Sequence, residues 1–152
     1  MALAPVETDR TDVIAVAPDR LWAVLADVGD YPTFWPWLRS FDGRELAAGV
    51  VWRGQIDVAG PLRLTVAIHL DEVVPGRCIG AHLGGDLTGP ARVDVTAAGA
   101  GSALHLTAAL VPRRADLRSL TRWARPLAQA SHDRVITRAL AHLATHVETH
   151  PD

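Results

Sequence analysis

The stretch Ala17–Trp37, APDRLWAVLADVGDYPTFWPW, decides the fold of this 152-residue chain. Pro18 suits the first turn of a helix, Asp19 favours the positive end of its dipole, and Gly29 ends it. Apolar residues recur at helical spacing between these limits: Leu21, Trp22, Val24, Leu25 and Val28. Two prolines in Tyr31–Trp37 permit only a short second helix. The stretch therefore predicts a pair of short helices.

Large aromatic rings are concentrated in the same stretch, which holds three of the five tryptophans of the chain. Rings gathered in this way either seal a hydrophobic core or line a ligand pocket. Trp22 lies on the apolar stripe of the first helix, so we expect it to pack against a sheet. Trp35 and Trp37 follow a turn, and we expect them to form one wall of a pocket.

Length and composition exclude several classes of protein. A chain of 152 residues with a net charge of −2 predicts one domain, residues 1–152, and gives no reason to expect a nucleic acid as partner. There is no lysine, which excludes Schiff-base chemistry. Cys78 is the only cysteine and the N-terminal residues do not resemble a secretory signal, so we expect a cytoplasmic protein. No apolar run is long enough for membrane insertion.

The chain after Trp37 alternates between apolar and polar residues, which predicts a series of antiparallel strands with one buried face. An earlier strand is predicted over Thr11–Val16, and the glycine-rich GGDLTGP at residues 84–90 is predicted to be a loop. The buried faces of successive strands are formed by Trp52, Ile56 and Val58; by Leu62, Leu64, Val66, Ile68 and Leu70; by Ile79, Ala81 and Leu83; by Val93 and Val95; and by Leu104, Leu106, Ala108 and Leu110.

The final segment, Ala115–His150, has helical periodicity but contains Pro126, which kinks or breaks a helix. The apolar stripe before Pro126 is out of phase with the stripe after it, so a kink is expected there. A single antiparallel sheet needs a cover for its apolar face, and this helix is the natural one. The order strand, helix pair, antiparallel strands and long helix predicts an α+β fold.

Four motifs recur in a characteristic order: APDRLWAVLADVGDYPTFWPW at residues 17–37, GVVWRGQIDVAG at 49–60, GAGSALHLT at 99–107 and RVITRALAHLATHVE at 134–148. Together they resemble the bacterial polyketide cyclase/dehydrase branch of the Bet v 1-like, START-related (SRPBCC) superfamily, with Ser102 in place of a threonine. The resemblance implies a helix-grip fold, in which a curved antiparallel sheet wraps around a long C-terminal helix and two short helices follow the first strand. This fold serves cyclases, lipid carriers and hormone receptors, so it defines function only broadly.

Polar residues on the long helix are the candidates for catalysis. At about 100° per residue, His132 lies on the same face as Ile136, and Gln129 and Arg125 share that face. A buried polar group left unpaired costs about 1–3 kcal/mol, so these three need partners, which are each other, water or a ligand. With a ligand, His132 acts as general acid and base, while Gln129 and Arg125 polarise a carbonyl or hold a carboxylate. In the alternative, a kink at Pro126 turns Arg125 and Gln129 to the surface, and His132 caps a core contact.

The remaining titratable residues carry weaker signals. Three histidines recur every four residues, as helical metal ligands do, but they lie away from the apolar stripe and are predicted to form a solvated face: His142, His146 and His150. His69 and His105 are predicted to face solvent, and His82 and Asp86 are candidates for the rim of an entrance. Cys78 is predicted to be a buried, unreactive thiol. Since no phosphate loop, dinucleotide fingerprint or zinc-ligand cluster occurs, we expect no cofactor and no metal.

We therefore expect a cavity that binds a small hydrophobic or polyketide-like molecule. Its lining residues are predicted to be Trp35, Trp37, Trp52, Ile56, Leu64, Val66, Leu83 and Trp123, although Trp52 also suits the core and Trp123 the surface. Three functions remain open from the sequence: a cyclase or dehydratase, a non-catalytic carrier or sensor, and an interaction module whose cavity is closed. The chain is expected to be a monomer or a homodimer.

Overall fold

The structure, a computed structural model, describes residues 5–59, 62–116, 118 and 125–149, and has the α+β helix-grip architecture. The strands are β1 (Val6–Ile14), β2 (Leu38–Arg39), β3 (Val51–Ala59), β4 (Leu62–Val74), β5 (Cys78–Gly85), β6 (Leu87–Ala98) and β7 (Gly101–Pro112). The helices are α1 (Pro18–Ala26), α2 (Tyr31–Phe34) and α3 (Arg125–Thr149), with a single 3₁₀ turn at Val28–Asp30 between the first two. Among the described residues no helix is long and apolar enough to cross a membrane.

The seven strands form one antiparallel sheet in the order β1-β7-β6-β5-β4-β3-β2. The predicted order of elements is confirmed, but two boundaries were wrong. The first strand covers Val6–Ile14 rather than Thr11–Val16. The glycine-rich segment at 84–90 is mostly strand, because β5 runs to Gly85 and β6 begins at Leu87. Gly85 has a φ of 92°, a conformation that glycine adopts without strain, and this allows the sharp reversal.

The strand register places one face of each strand on the concave side of the curved sheet. Thr8 of β1 lies opposite Ala108 of β7, so the even-numbered residues of both strands share the concave face. The pairing of β7 with β6, and of each strand with the next as far as β3, extends the concave face over these strands. This face contains the apolar residues that the alternation predicted. The convex face carries the exposed alternates, such as Val13 at 70% exposure.

The hydrophobic core gathers beneath the C-terminal half of α3. Leu140, Leu143 and Val147 of this helix are buried among residues of α1, α2 and the sheet. Their partners are Ile14, Leu21, Leu25, Val28, Tyr31, Phe34, Leu38, Trp52, Leu70, Val95 and Leu104. Ser102 has no exposed surface and donates to the Val16 carbonyl oxygen (2.6 Å), which ties β7 to the connection between β1 and α1. One end of the sheet is thereby closed.

Helix α3 lies between the two edge strands of the sheet. At the β1 edge, Gln129 contacts the backbone of Glu7, and Glu148 accepts a hydrogen bond from the Ala15 amide (2.9 Å). Toward the other side of the sheet, the Arg138 guanidinium donates to the carbonyl oxygen of Asp57 in β3, the strand next to the edge strand β2 (3.3 Å). Side chains of α3 therefore satisfy backbone groups that an exposed edge would leave open.

The kink expected at Pro126 is only partly covered by the structure. Pro126 is the second described residue of α3, and the residues before it, which a kink would also involve, are not all described. Residues 119–124, Trp123 among them, lie outside the described residues. That the apolar stripe before Pro126 is out of phase with the stripe after it therefore stays a prediction.

Candidate functional site

A row of alanines crosses the centre of the concave face. Ala81 of β5 pairs with Ala91 of β6, and Ala91 pairs with Ala108 of β7. The row ends at β1, where Ala108 lies opposite Thr8. The three alanines are only partly buried although they lie on the inside of the fold. Methyl side chains reach only a short distance above the sheet, so the middle of this face carries little side-chain volume.

Larger aliphatic residues flank the alanine row. Of the predicted lining residues, Ile56 and Leu83 are partly exposed, whereas Leu64 and Val66 are buried. All four lie on the concave face, as the alternation predicted. Val93 and Leu106, which the sequence analysis assigned only to the sheet, share this face and are also partly exposed. The contact of these residues with a ligand stays a prediction.

His132 lies where α3 faces the β1 end of the alanine row. Its Nε2 atom makes a short hydrogen bond with the hydroxyl of Thr8, a buried residue. Burial lowers the pKa of His132, an effect that Asp133 opposes, because desolvation penalises the charged imidazolium. The ring is therefore neutral near pH 7, the state in which it accepts a proton.

Gln129 is used by the backbone of β1. Its amide nitrogen donates to the Glu7 carbonyl oxygen (2.7 Å) and to Asp133 (2.8 Å), while its oxygen accepts from the Glu7 amide (3.3 Å). The expectation that Gln129 and His132 need partners is met within the chain, since both find them on β1. Arg125 begins α3, but its side chain lies outside the described residues.

A groove of about 390 Å³ opens between β1 and α3. Its walls include Glu7, Asp9 and Asp133, and Thr8 and Ile136 also line it. The Arg10 guanidinium crosses the gap and donates to the Thr137 hydroxyl (2.5 Å) and to Asp12 (2.8 Å). The groove lies at the β1 edge of the sheet, so the hydroxyl that holds His132 borders both the concave face and this opening.

One of the three tryptophans described next belongs to the core, and the other two lie beside α3. Trp52 is 6% exposed, and its indole nitrogen donates to the Glu45 carbonyl oxygen (2.8 Å), so it belongs to the core rather than to an open wall. Trp35 and Trp37 lie side by side, with ring centroids 5.8 Å apart. Trp35 donates to the Ala139 carbonyl oxygen of α3 (2.9 Å), whereas the buried indole nitrogen of Trp37 has no partner among the described residues.

Arg138 and Tyr31 complete the contacts around these rings. The Arg138 guanidinium lies over the Trp37 ring, 5.3 Å from its centroid. Tyr31 sits among Phe34, Trp35 and the rest of the aromatic cluster, and its hydroxyl donates to the Leu25 carbonyl oxygen (2.5 Å). Burial raises the pKa of Tyr31, so this phenol stays neutral and acts in packing. Helix α2 and the residues that follow it are thus held against α3 largely through aromatic rings.

Of the C-terminal histidines that the sequence predicted to form a solvated face, His142 is exposed but His146 is not. His146 has only 17% of its side chain exposed and stacks on Phe34, with ring centroids 4.5 Å apart. His142 donates to the Phe34 carbonyl oxygen (3.0 Å), and His150 lies outside the described residues. The prediction was wrong for His146 because Phe34 of α2, far away in sequence, covers this ring.

The three histidines of the sheet lie on its convex face, and Asp86 lies in the connection between β5 and β6. His69 stacks on His82, which contacts Asp71 (2.9 Å), and His105 contacts Asp9 (2.7 Å). Asp86 accepts from the Thr65 amide (2.7 Å). Cys78 is buried, as predicted, and its thiol donates to Glu72 (3.1 Å); that hydrogen bond and burial raise the pKa of the thiol. The described part of the chain contains no cluster of three residues suited to a metal ion.

Two features of the site were missed from the sequence. Thr8 fell outside the predicted first strand, because Thr8, Arg10 and Asp12 put polar residues on the inward face and hide the alternation. The alanine row was not seen because its members are far apart in sequence and become neighbours only through the register. The feature of the site that the sequence did indicate was the position of His132 on the apolar face of the last helix.

Comparisons with known proteins identify the fold independently. The model of a family described as polyketide cyclase/dehydrase and lipid transport matches residues 5–148. An aromatase/cyclase from Streptomyces sp. R1128, known as Zhui, superposes with a TM-score of 0.79 at 24% identity, covering 96% of this chain and 95% of that one. No match is found among curated proteins.

Two further solved structures share the architecture at lower identity. A START superfamily protein from Mycobacterium smegmatis has a TM-score of 0.72 at 15% identity, covering 94% of this chain and 97% of that one. DynU16, a putative protein of the dynemicin biosynthetic locus, has a TM-score of 0.65 at 14% identity, covering 95% of this chain and 48% of that one. The family match covers nearly the whole sequence, and the chain therefore belongs to the polyketide cyclase/dehydrase and lipid transport family.

Proposed function

We propose that this protein binds a small hydrophobic, polyketide-like molecule on the concave face of its sheet, between the alanine row and the N-terminal half of α3. The observation that carries the proposal is the row itself. Ala81, Ala91 and Ala108 are small and only partly buried on an inward face, whereas the other end of the sheet is filled by the core. A packed interior would not leave such residues partly exposed.

The proposed chemistry is cyclisation or dehydration by general acid–base catalysis at His132. The imidazole is neutral, and it lies at the end of the alanine row. In a cyclisation it removes a proton from a carbon flanked by two carbonyl groups. The carbanion attacks a second carbonyl carbon of the chain, a carbon–carbon bond forms, and the oxygen takes the proton back from the imidazolium. No cofactor is needed for this step, since no electron is transferred.

A non-catalytic carrier is the second candidate, and one observation favours it. Gln129, the residue expected to polarise a carbonyl, has both ends of its amide engaged by β1 and Asp133. In a carrier, the same helix residues serve only to hold α3 against the sheet, and an apolar lining suffices for affinity. The match to a family described as covering lipid transport suits this function as well.

Native mass spectrometry of the purified protein tests binding, and a turnover assay separates the two candidates. A co-purifying small molecule is expected under gentle ionisation. For turnover, a synthetic poly-β-ketone thioester is offered to the wild-type protein and to His132→Asn. A cyclase loses about a hundredfold or more of its rate in the variant but still binds the thioester. Equal, uncatalysed product formation by both proteins supports the carrier, and absence of any bound molecule or thioester contradicts both.

A further inference from the structure

The partner of His132 has a consequence for the proposed chemistry. An imidazole has two nitrogens, and a hydrogen bond to one of them determines which nitrogen is available to a ligand. In this structure Nε2 is engaged by the Thr8 hydroxyl. For Nδ1 the described part of the chain shows no hydrogen bond. Nδ1 is therefore the nitrogen left to exchange a proton with a bound molecule.

We propose that Thr8 is a positioning residue that holds His132 by Nε2, so that Nδ1 serves as the proton acceptor and donor toward the ligand. The inference rests on the proposed function for its catalytic consequence, whereas the orientation of the ring does not depend on it. Thr8 suits this role by its place in the fold. It is the last residue of the row that starts at Ala81, so it links the lining of the concave face to the helix.

The proton transfer can be followed atom by atom. Neutral His132 carries its proton on Nε2 and donates it to the Thr8 oxygen as a hydrogen bond, which leaves the lone pair on Nδ1. When Nδ1 removes a proton from the ligand carbon, the ring becomes an imidazolium, and Thr8 continues to accept from Nε2. Nδ1 then returns the proton to the ligand oxygen. A hydroxyl that orients an imidazole in this way plays the part that a carboxylate plays in a catalytic triad.

The position of Thr8 also allows its hydroxyl to donate a hydrogen bond. Thr8 lines the groove between β1 and α3, where the carboxylates of Glu7 and Asp133 form part of the wall. As an acceptor toward His132, the hydroxyl directs its own hydrogen toward this opening. The hydroxyl can therefore accept from the imidazole and donate into the groove at the same time, and one of its two lone pairs remains.

The experiment is nitrogen-15 NMR of histidine-labelled protein at a pH where the imidazole is neutral. The signals of His132 are assigned by their loss in His132→Asn. Wild type is expected to show one tautomer, with the proton on Nε2. Thr8→Val keeps the shape of the side chain and removes the hydroxyl, so the signals are expected to shift toward those of a mixture of tautomers. Thr8→Ser restores the wild-type signals, and Thr11→Val, on the exposed face of the same strand, leaves them unchanged.

Turnover of the poly-β-ketone thioester by the same variants tests the catalytic consequence. Thr8→Val is expected to lower kcat about tenfold with little change in KM, the size of effect seen when a group that orients a functional imidazole is removed. Thr8→Ser is expected to recover most of the rate. If the tautomer signals are the same in wild type and Thr8→Val, the inference is wrong whatever the function. If the signals shift but no protein turns over the thioester, the positioning of His132 stands and the proposed catalysis fails.

Discussion

The two halves of α3 differ in how they contact the sheet. The C-terminal half places Leu140, Leu143 and Val147 into a continuous apolar core beneath α1 and α2. The N-terminal half contacts β1 through polar groups, with Gln129 on the Glu7 backbone and His132 on the Thr8 hydroxyl. One helix therefore closes the sheet at one end by hydrophobic burial and spans the other end by hydrogen bonds.

This difference separates stability from binding. Burial of a large aliphatic side chain contributes about 1.5–3 kcal/mol, whereas a hydrogen bond contributes about 1 kcal/mol net. The apolar half therefore carries most of the stability that α3 provides. The polar half lies at the end of the sheet where the partly buried alanine row ends, and this is the region in which we propose that the ligand binds. Substitutions in the two halves of α3 test that division.

The largest effect is expected at the closed end. Leu143 is 2% exposed, and Leu143→Ala should lower the free energy of unfolding by about 2–5 kcal/mol, because it removes buried methyl groups and leaves a cavity. Ile136, on the open half, is only partly buried. Ile136→Ala should therefore cost clearly less than Leu143→Ala. Chemical denaturation measures both, and equal losses would show that the two halves are equally packed.

The next effect concerns the β1 edge. Gln129→Ala removes both hydrogen bonds to the Glu7 backbone, and it should cost about 1–2 kcal/mol. Gln129→Glu keeps an acceptor for the Glu7 amide but loses the donor and adds a negative charge beside Glu7 and Asp133. At neutral pH it should be at least as unstable as Gln129→Ala. A Gln129→Glu variant as stable as wild type would mean that the amide does not hold the edge.

A smaller effect distinguishes the two adjacent tryptophans beside α3. Trp35→Phe loses the hydrogen bond to the Ala139 carbonyl oxygen and should cost about 1 kcal/mol beyond the lost ring area. Trp37→Phe removes an indole nitrogen that is already buried without a partner among the described residues. It should therefore be the less damaging of the two in thermal unfolding. A larger loss of stability in Trp37→Phe than in Trp35→Phe would mean that the indole nitrogen of Trp37, rather than that of Trp35, makes the stabilising hydrogen bond.

The smallest effect at neutral pH is the one expected from His132. Because burial lowers its folded-state pKa, the unfolded chain binds a proton more readily, and protonation favours unfolding. Its contribution is fully present above the unfolded-state value near 6.5 and is lost as the pH falls below it. His132→Asn should flatten the loss of stability from neutral pH into this range. An unchanged slope in denaturation curves recorded across that range would argue against a buried, neutral ring.

The sequence predicted the elements better than their contacts. Pro18 and the spacing of Leu21 and Leu25 were sufficient for α1, and alternation was sufficient for β4. The start of β1 was missed because Arg10 and Asp12 point inward, where alternation expects apolar residues. The placement of these polar residues depends on α3, which lies beside β1 only after folding.

The candidate site shows the same limit. Helical phase placed His132 on the face of Ile136, which the structure agrees with, because phase is a local property of the chain. Its partner Thr8 is 124 residues away, and no local pattern reports such a pair. The same holds for His146, which was predicted to be solvated and instead stacks on Phe34. Contacts between distant elements require the register of the whole sheet.

The most direct test of the account is to fill the space above the alanine row. Ala108→Trp places a large ring on the concave face, and Ala109→Trp places the same ring on the convex face of the same strand. Binding of the fluorescent probe anilinonaphthalenesulfonate is titrated for both variants and for wild type, together with their free energies of unfolding. We predict that Ala108→Trp stays folded with little loss of stability and loses the probe, while Ala109→Trp binds it as wild type does. Ala108→Trp binding the probe as wild type does, or losing about 3 kcal/mol or more because no room exists for the ring, would contradict the central claim.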